Sequence, residues 1–172
     1  MTALLSAIKN SGRIFALMTL CLSISLGSQA EAISGDAKDF TLKSNKGKNL
    51  RLEDMRGQIV VINFWATWCG PCRQEMPKLD ELYKRYKRAG VTIWGINVED
   101  KQSLPDAYLT ENPVSFPVLY DTESTVSKLY NVEAMPTTII VDRDGKMRYL
   151  HLAYKPGYED IYRQQIKELM RE

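Results

Sequence analysis

An α/β fold, a sheet covered by helices on both faces, is predicted by three features of this sequence. Two apolar runs, Ile59 to Trp65 and Val91 to Val98, are nearly uninterrupted, so each reads as a strand buried on both faces. Stretches with apolar residues at helical spacing separate the strand-like runs. A terminal hairpin followed by a helix then closes the pattern.

Taken in order, Phe40-Thr41-Leu42 and Asn49-Leu50-Arg51-Leu52 flank Asn45-Lys46-Gly47-Lys48 and predict a short hairpin with a glycine turn. After the strand at Ile59 to Trp65, residues Met76, Leu79, Leu82, Tyr83 and Tyr86 recur at helical spacing between Pro71 and Arg88. Pro77 is expected to kink that helix, because it supplies no N–H and crowds the preceding turn. The basic cluster Lys84-Arg85-Tyr86-Lys87-Arg88 reads as a solvated helix face. Val91 to Val98 is the next buried strand. Short helices around Ser103 to Thr110 and Thr122 to Tyr130 bracket a strand at Phe116 to Tyr120. Thr137 to Val141 and Lys146 to Leu152 pair through the turn Asp142-Arg143-Asp144-Gly145, and a helix from Tyr158 to Met170 ends the chain. There is no internal repeat and no low-complexity linker.

The first 30 residues have a different character. Lys9 and Arg13 occur there without any acid, and the apolar run Ile14 to Leu26 and the small-residue stretch Gly27-Ser28-Gln29-Ala30 follow. These are the three regions of a secretory signal, with cleavage expected after Ala30. The run falls short of the roughly 20 residues a spanning helix needs, and an uncleaved anchor is the alternative. Cys21 does not fit a lipid anchor, since Leu20 precedes it where a small residue is wanted. Residues 31–172 then form one domain, large enough to bury a core without staples. The chain carries 23 basic and 21 acidic residues, and loss of Lys9 and Arg13 leaves 21 of each. Such a balance argues against nucleic acid or an anionic membrane as the partner, leaving membrane contact to an uncleaved N-terminus.

Three cysteines occur in all, Cys21, Cys69 and Cys72, so the exported chain keeps only the pair in Trp68-Cys69-Gly70-Pro71-Cys72. In an oxidising compartment this pair is redox-active, metal-binding or an inert bridge. Zinc usually takes four nitrogen or sulfur ligands, and beyond the two thiols the chain offers one histidine, His151, which reads as a solvent-facing strand residue. No metal and no cofactor are therefore expected. The pair follows a strand and opens a helix, whose N-terminus offers unpaired N–H groups and positive dipole to a thiolate. Cys69 is the more reactive of the two on that ground.

The segment Asn63-Phe64-Trp65-Ala66-Thr67-Trp68-Cys69-Gly70-Pro71-Cys72-Arg73-Gln74-Glu75-Met76-Pro77 resembles the active site of the thioredoxin superfamily, specifically the exported TlpA/ResA-type thiol-disulfide oxidoreductases. Met135-Pro136-Thr137-Thr138 resembles the superfamily's cis-proline loop, and the likeness extends over roughly residues 37–170. It implies a thioredoxin-like fold: a central mixed sheet flanked by helices, here with the N-terminal hairpin as an extension. It also implies a protein-disulfide reductase in which Cys69 attacks and Cys72 resolves. Pro136 would offer an extended backbone edge to a substrate segment, with Met135 beside the disulfide. Trp65 is assigned to packing and Trp68 to a partly exposed substrate contact. Thioredoxins carry a buried aspartate where this chain has Asn63. In TlpA/ResA-type proteins a glutamate of the CxxC helix takes its place, and Glu75 matches it, three residues after Cys72 and near the same helix face.

The resemblance further implies protein thiol or disulfide substrates, such as apocytochrome c or copper-site proteins, and recharging by a membrane thiol donor of the CcdA/DsbD type. The expected location is the periplasm or the outer face of the bacterial cytoplasmic membrane. Asn131-Val132-Glu133-Ala134-Met135-Pro136-Thr137-Thr138 lacks the Gly-Val-x-Gly-x-Pro-Glu-Thr-like segment of the dedicated cytochrome-maturation branch. A peroxidase would need a Thr-x-x-Cys setting, and Thr67 is only two residues before Cys69. A copper chaperone would want CxxxC with a supporting histidine. A thiol oxidant on the same fold is the nearest alternative, because direction depends on how strongly the fold stabilises the Cys69 thiolate.

Overall fold

The computed structural model of the protein describes residues 31–172. The expected signal segment, residues 1–30, lies outside the described residues. The strands are β1 (Glu31–Ala32), β2 (Thr41–Lys43), β3 (Asn49–Arg51), β4 (Ile59–Trp65), β5 (Val91–Asn97), β6 (Val118–Tyr120), β7 (Thr137–Val141) and β8 (Met147–Leu152). The α-helices are α1 (Gly70–Tyr86), α2 (Ser103–Glu111), α3 (Thr125–Leu129) and α4 (Tyr158–Leu169). Six strands form one mixed sheet in the order β1-β8-β7-β4-β5-β6, while β2 and β3 pair as a separate hairpin. This is the thioredoxin-like fold with its N-terminal hairpin.

β4 sits at the centre, parallel to β5 and antiparallel to β7. Its successive side chains feed two cores, because strand residues alternate faces. Ile59, Val61 and Trp65 pack under α1 and α4, whereas Val60, Ile62 and Phe64 pack with Phe40, Leu52 and Val126 on the other side. The nearly continuous apolar run thus reports burial on both faces, as expected. Asn63 shares the parity of Val61 and Trp65, which turns the one polar residue of the strand toward α1.

Several boundaries differ from expectation for local reasons. α3 starts at Thr125, after Ser124 in the left-handed region at φ 54°, and the Asp121 carboxylate accepts from Val126 N and Ser127 N to close its N-terminus. β6 begins only at Val118, since Pro117 has no N–H for the ladder. α1 continues through Pro77. β1 is too short to leave a pattern, and it extends the sheet by pairing Glu31 with Leu150 and Ala32 with Tyr149. Lys84, Arg85, Lys87 and Arg88 are exposed around the buried Tyr86, the solvated face that was expected.

Gly95 of β5 makes room for the side chain of Trp65, the last residue of β4. A Cβ there would lie 2.9 Å from a Phe116 ring carbon and 3.3 Å from Trp65 Nε1. Trp65 is fully buried over that gap and meets Tyr108 with ring centroids 5.5 Å apart. Its assignment to packing holds.

Candidate functional site

The chain leaves β4 at Trp65, turns through Ala66 to Trp68, and enters α1 at Cys69. Cys69 is the N-cap residue, with extended backbone, and its Sγ accepts a hydrogen bond from Cys72 N at 3.2 Å. Pro71 fits the first helical turn, where an N–H would have no partner. Cys69 and Cys72 form a disulfide with Cα atoms 5.2 Å apart. Cys72 is fully enclosed and Cys69 is 5% exposed, so the outer sulfur is the one at the helix N-terminus. Trp68 beside it is 68% exposed.

The Met135–Pro136 peptide bond is cis, Pro136 is buried, and Met135 packs against the core cluster that holds both cysteines. Ala153 N donates to Pro136 O at 2.8 Å, tying the loop after β8 to this segment.

Below the disulfide lies a polar row that runs across three strands. Asn63 of β4 is opposite Thr138 of β7, and Thr138 is opposite His151 of β8. Glu75 of α1 and Tyr162 and Gln165 of α4 cover that row. Glu75 is fully buried, one turn on from Cys72 along the same buried face of α1. Its carboxylate accepts from Asn63 Nδ2 at 2.9 Å, Thr138 Oγ1 at 3.0 Å and Tyr162 OH at 2.7 Å. Asn63 spends its second amide proton on Thr138 Oγ1 at 2.8 Å, and its own Oδ1 is buried without a partner.

Burial pushes the Glu75 carboxyl up to about 7, against the three hydrogen bonds that favour its anion. Tyr162 moves the opposite way from deprotonation: burial first, and the neighbouring Glu75 charge second, raise its phenol well above the ordinary range. It therefore stays a neutral donor. A carboxyl that is half ionised near neutral pH can both take and return a proton within the protein.

One expectation is corrected here. His151 was read as solvent-facing, but it is buried, with Nε2 2.8 Å from Gln165 Oε1 and its ring edge-on to Tyr162 at 4.7 Å. α4 crosses that end of β8 and covers it. Burial lowers its pKa, so the imidazole is neutral packing material. Thr138 and Tyr162 were not singled out as site residues from the sequence. Tyr162 falls on the apolar stripe of the closing helix, and only the packed geometry shows that its hydroxyl meets a carboxylate.

Residues 33–150 match the AhpC/TSA family. Thiol-disulfide oxidoreductase ResA from Geobacillus kaustophilus is 39% identical over 121 residues, 70% of this chain and 70% of that protein. The chain belongs to the AhpC/TSA family, as a thioredoxin-like thiol-disulfide oxidoreductase. ResA from Bacillus subtilis is 34% identical over 129 residues, covering 75% of this chain and 72% of that one. Among solved structures, a Chlorobium tepidum protein assigned as a thiol:disulfide interchange protein DsbE superposes with a TM-score of 0.77 at 32% identity, over 83% of this chain and 99% of that one.

Proposed function

We propose that this oxidoreductase is an exported reductase of cysteine pairs in other proteins, and that the pairing of the Cys69–Cys72 disulfide with buried Glu75 one turn deeper carries its chemistry. In the reduced enzyme the Cys69 thiolate attacks one sulfur of a substrate disulfide. A mixed disulfide forms and the other substrate sulfur leaves as a thiolate. Cys72 then gives its proton to Glu75 and attacks Cys69 Sγ, which re-forms the Cys69–Cys72 bond and expels the second substrate thiolate. The substrate gains two electrons and, from solvent and Glu75, two protons; the enzyme loses two electrons and is recharged by a dithiol donor.

The helix N-terminus favours Cys69 as the attacking sulfur, since the Cys72 N–H and the dipole stabilise negative charge there. Enclosure of Cys72 favours it as the resolving one, because no outside disulfide reaches it. Trp68, Met135 and Pro136 supply the exposed ring, the apolar contact and the backbone edge against which a substrate segment lies. Substrates of this reading are cysteine pairs awaiting haem or copper, in apocytochrome c or copper-site proteins. The donor is a membrane dithiol protein of the CcdA/DsbD type, and the site of action is the periplasm or the outer face of the bacterial cytoplasmic membrane, reached through residues 1–30.

Trapping tests the assignment. A Cys72→Ser enzyme incubated with a disulfide-containing apocytochrome c peptide should accumulate a covalent mixed disulfide through Cys69, resolved by dithiothreitol. Accumulation in Cys69→Ser instead would invert the roles, and accumulation in neither variant would remove the mechanism.

A further inference from the structure

A second buried carboxylate, Glu99, grips the turn that precedes Cys69, and the exchange chemistry above makes no use of it. Glu99 follows the C-terminal end of β5 and is 8% exposed. Its Oε1 accepts from Thr67 Oγ1 at 2.7 Å and its Oε2 from Thr67 N at 2.8 Å, so both oxygens grip the residue two before Cys69. Asn97 Nδ2 adds a third donor at 3.0 Å, and Glu99 N returns a bond to Asn97 Oδ1 at 3.1 Å. The clamp is seated on the sheet, since Trp65 and Asn97 are register partners and Val98 N bonds Trp65 O at 3.1 Å. Among the described residues no ion pair includes Glu99.

Hydrogen bonding alone does not require a charge at this place. A glutamine would put its carbonyl oxygen where Oε2 accepts from Thr67 N and Asn97 Nδ2. Its amide would then donate to Thr67 Oγ1, whose hydroxyl can rotate to accept. The carboxylate adds a negative charge held beside the active-site turn, in a place water screens poorly. An anion near Cys69 disfavours the thiolate, hence the reduced form, and makes the couple a stronger reductant.

We infer that Glu99 is a positioning residue that pins the turn through Thr67 and a fixed charge that biases the Cys69–Cys72 couple toward reduction of substrates. This rests on the reading of Cys69 as the attacking thiolate. Thr67 and Cys69 have Cα atoms no more than about 7.6 Å apart, which puts the carboxylate on the order of 10 Å from the Cys69 sulfur. A unit charge at that range, with an effective dielectric constant between about 20 and 80, alters the thiolate equilibrium about twofold to fifteenfold. Arg73 and Glu75 lie on α1 with Cys72, and the exposed Asp100 follows Glu99; all three are common to the proteins compared below.

The test follows the rate of iodoacetamide alkylation of the reduced full-length protein against pH, for the wild type, Glu99→Gln and Thr67→Ala. Glu99→Gln removes the charge and keeps the bonds; Thr67→Ala removes a bond and keeps the charge. The midpoint of the Cys69 profile should fall by about 0.3 to 1.2 pH units in Glu99→Gln, with no fall in Thr67→Ala. In the same variant the dithiol–disulfide equilibrium with glutathione, above that midpoint, should move toward dithiol by the matching factor. An unchanged midpoint in a folded Glu99→Gln protein overturns the inference, as does an equal fall in Thr67→Ala, which would assign the effect to geometry. Absence of any selectively alkylated Cys69 would overturn the reading beneath it as well, and is told apart by the wild-type profile alone.

Discussion

Replacing Glu75 by glutamine gives a stability experiment whose sign and size follow from the buried site. The folded chain holds this carboxyl at about 7 against 4.5 for an exposed glutamate, with burial as the cause. Between those values the native state binds a proton that the unfolded chain has released. Stability is then fully present below about pH 4.5 and is lost as pH rises through about 7. The separation corresponds to about 3 kcal/mol, a large part of the total for a single domain. Glutamine has no such titration. Any penalty from turning an amide toward Asn63, Thr138 and Tyr162 is the same at every pH, so it offsets the variant's curve without tilting it. Urea unfolding of the oxidised protein from pH 4 to 8.5 should show the stability of Glu75→Gln, relative to wild type, climbing by about 3 kcal/mol. With urea slopes of about 1–3 kcal/mol/M, the difference in midpoints moves by about 1 M or more. A difference that stays level across the range would refute the claim that burial dominates the charge state of Glu75.

Three other outcomes are expected. In single-turnover kinetics, Glu75→Gln should slow release of product from the mixed disulfide more than Asn63→Ala, which takes away only one donor at 2.9 Å; equal or reversed effects would contradict the proton-acceptor role. Tyr162→Phe deletes the 2.7 Å bond that favours the Glu75 anion, so the pH midpoint of the resolving step should rise by about one unit, and a fall would contradict the hydrogen-bond direction assigned here. Gly95→Ala forces a Cβ to within 2.9 Å of Phe116 and 3.3 Å of Trp65 and should destabilise by about 1–3 kcal/mol in urea unfolding; unchanged stability would show that the Trp65 anchor yields freely.

The elements most legible from sequence were those whose signal is local. Ile59 to Trp65 is apolar at every position but Asn63, and the helix after Pro71 repeats at 3.6, so both appear at nearly the expected bounds. The reactive pair was equally plain, since strand, turn and helix N-terminus are adjacent in the chain. What stayed hidden depends on register and on what covers a strand. Asn63, Thr138 and His151 become neighbours only when β4, β7 and β8 align, and no pattern within any one strand announces that row. His151 looked solvent-facing because the burial of β8 is decided by α4, about a dozen residues further on. Glu75 could be picked out by its spacing from Cys72, but its partners Thr138 and Tyr162 could not. Glu99 reads as one acid in an acidic dipeptide until the parallel β4–β5 pairing brings it against Thr67.

The reduction potential of the Cys69–Cys72 couple, obtained by equilibrating the protein with a thiol redox buffer, tests the proposed direction of electron flow most directly. Each 30 mV is worth about 1.4 kcal/mol between dithiol and disulfide, so the two directions are well separated. A value near or below about −270 mV is the result expected of a reductase that draws on a dedicated donor. A value near the roughly −120 mV of a strong oxidant would contradict it and make the protein a disulfide-forming enzyme on the same fold.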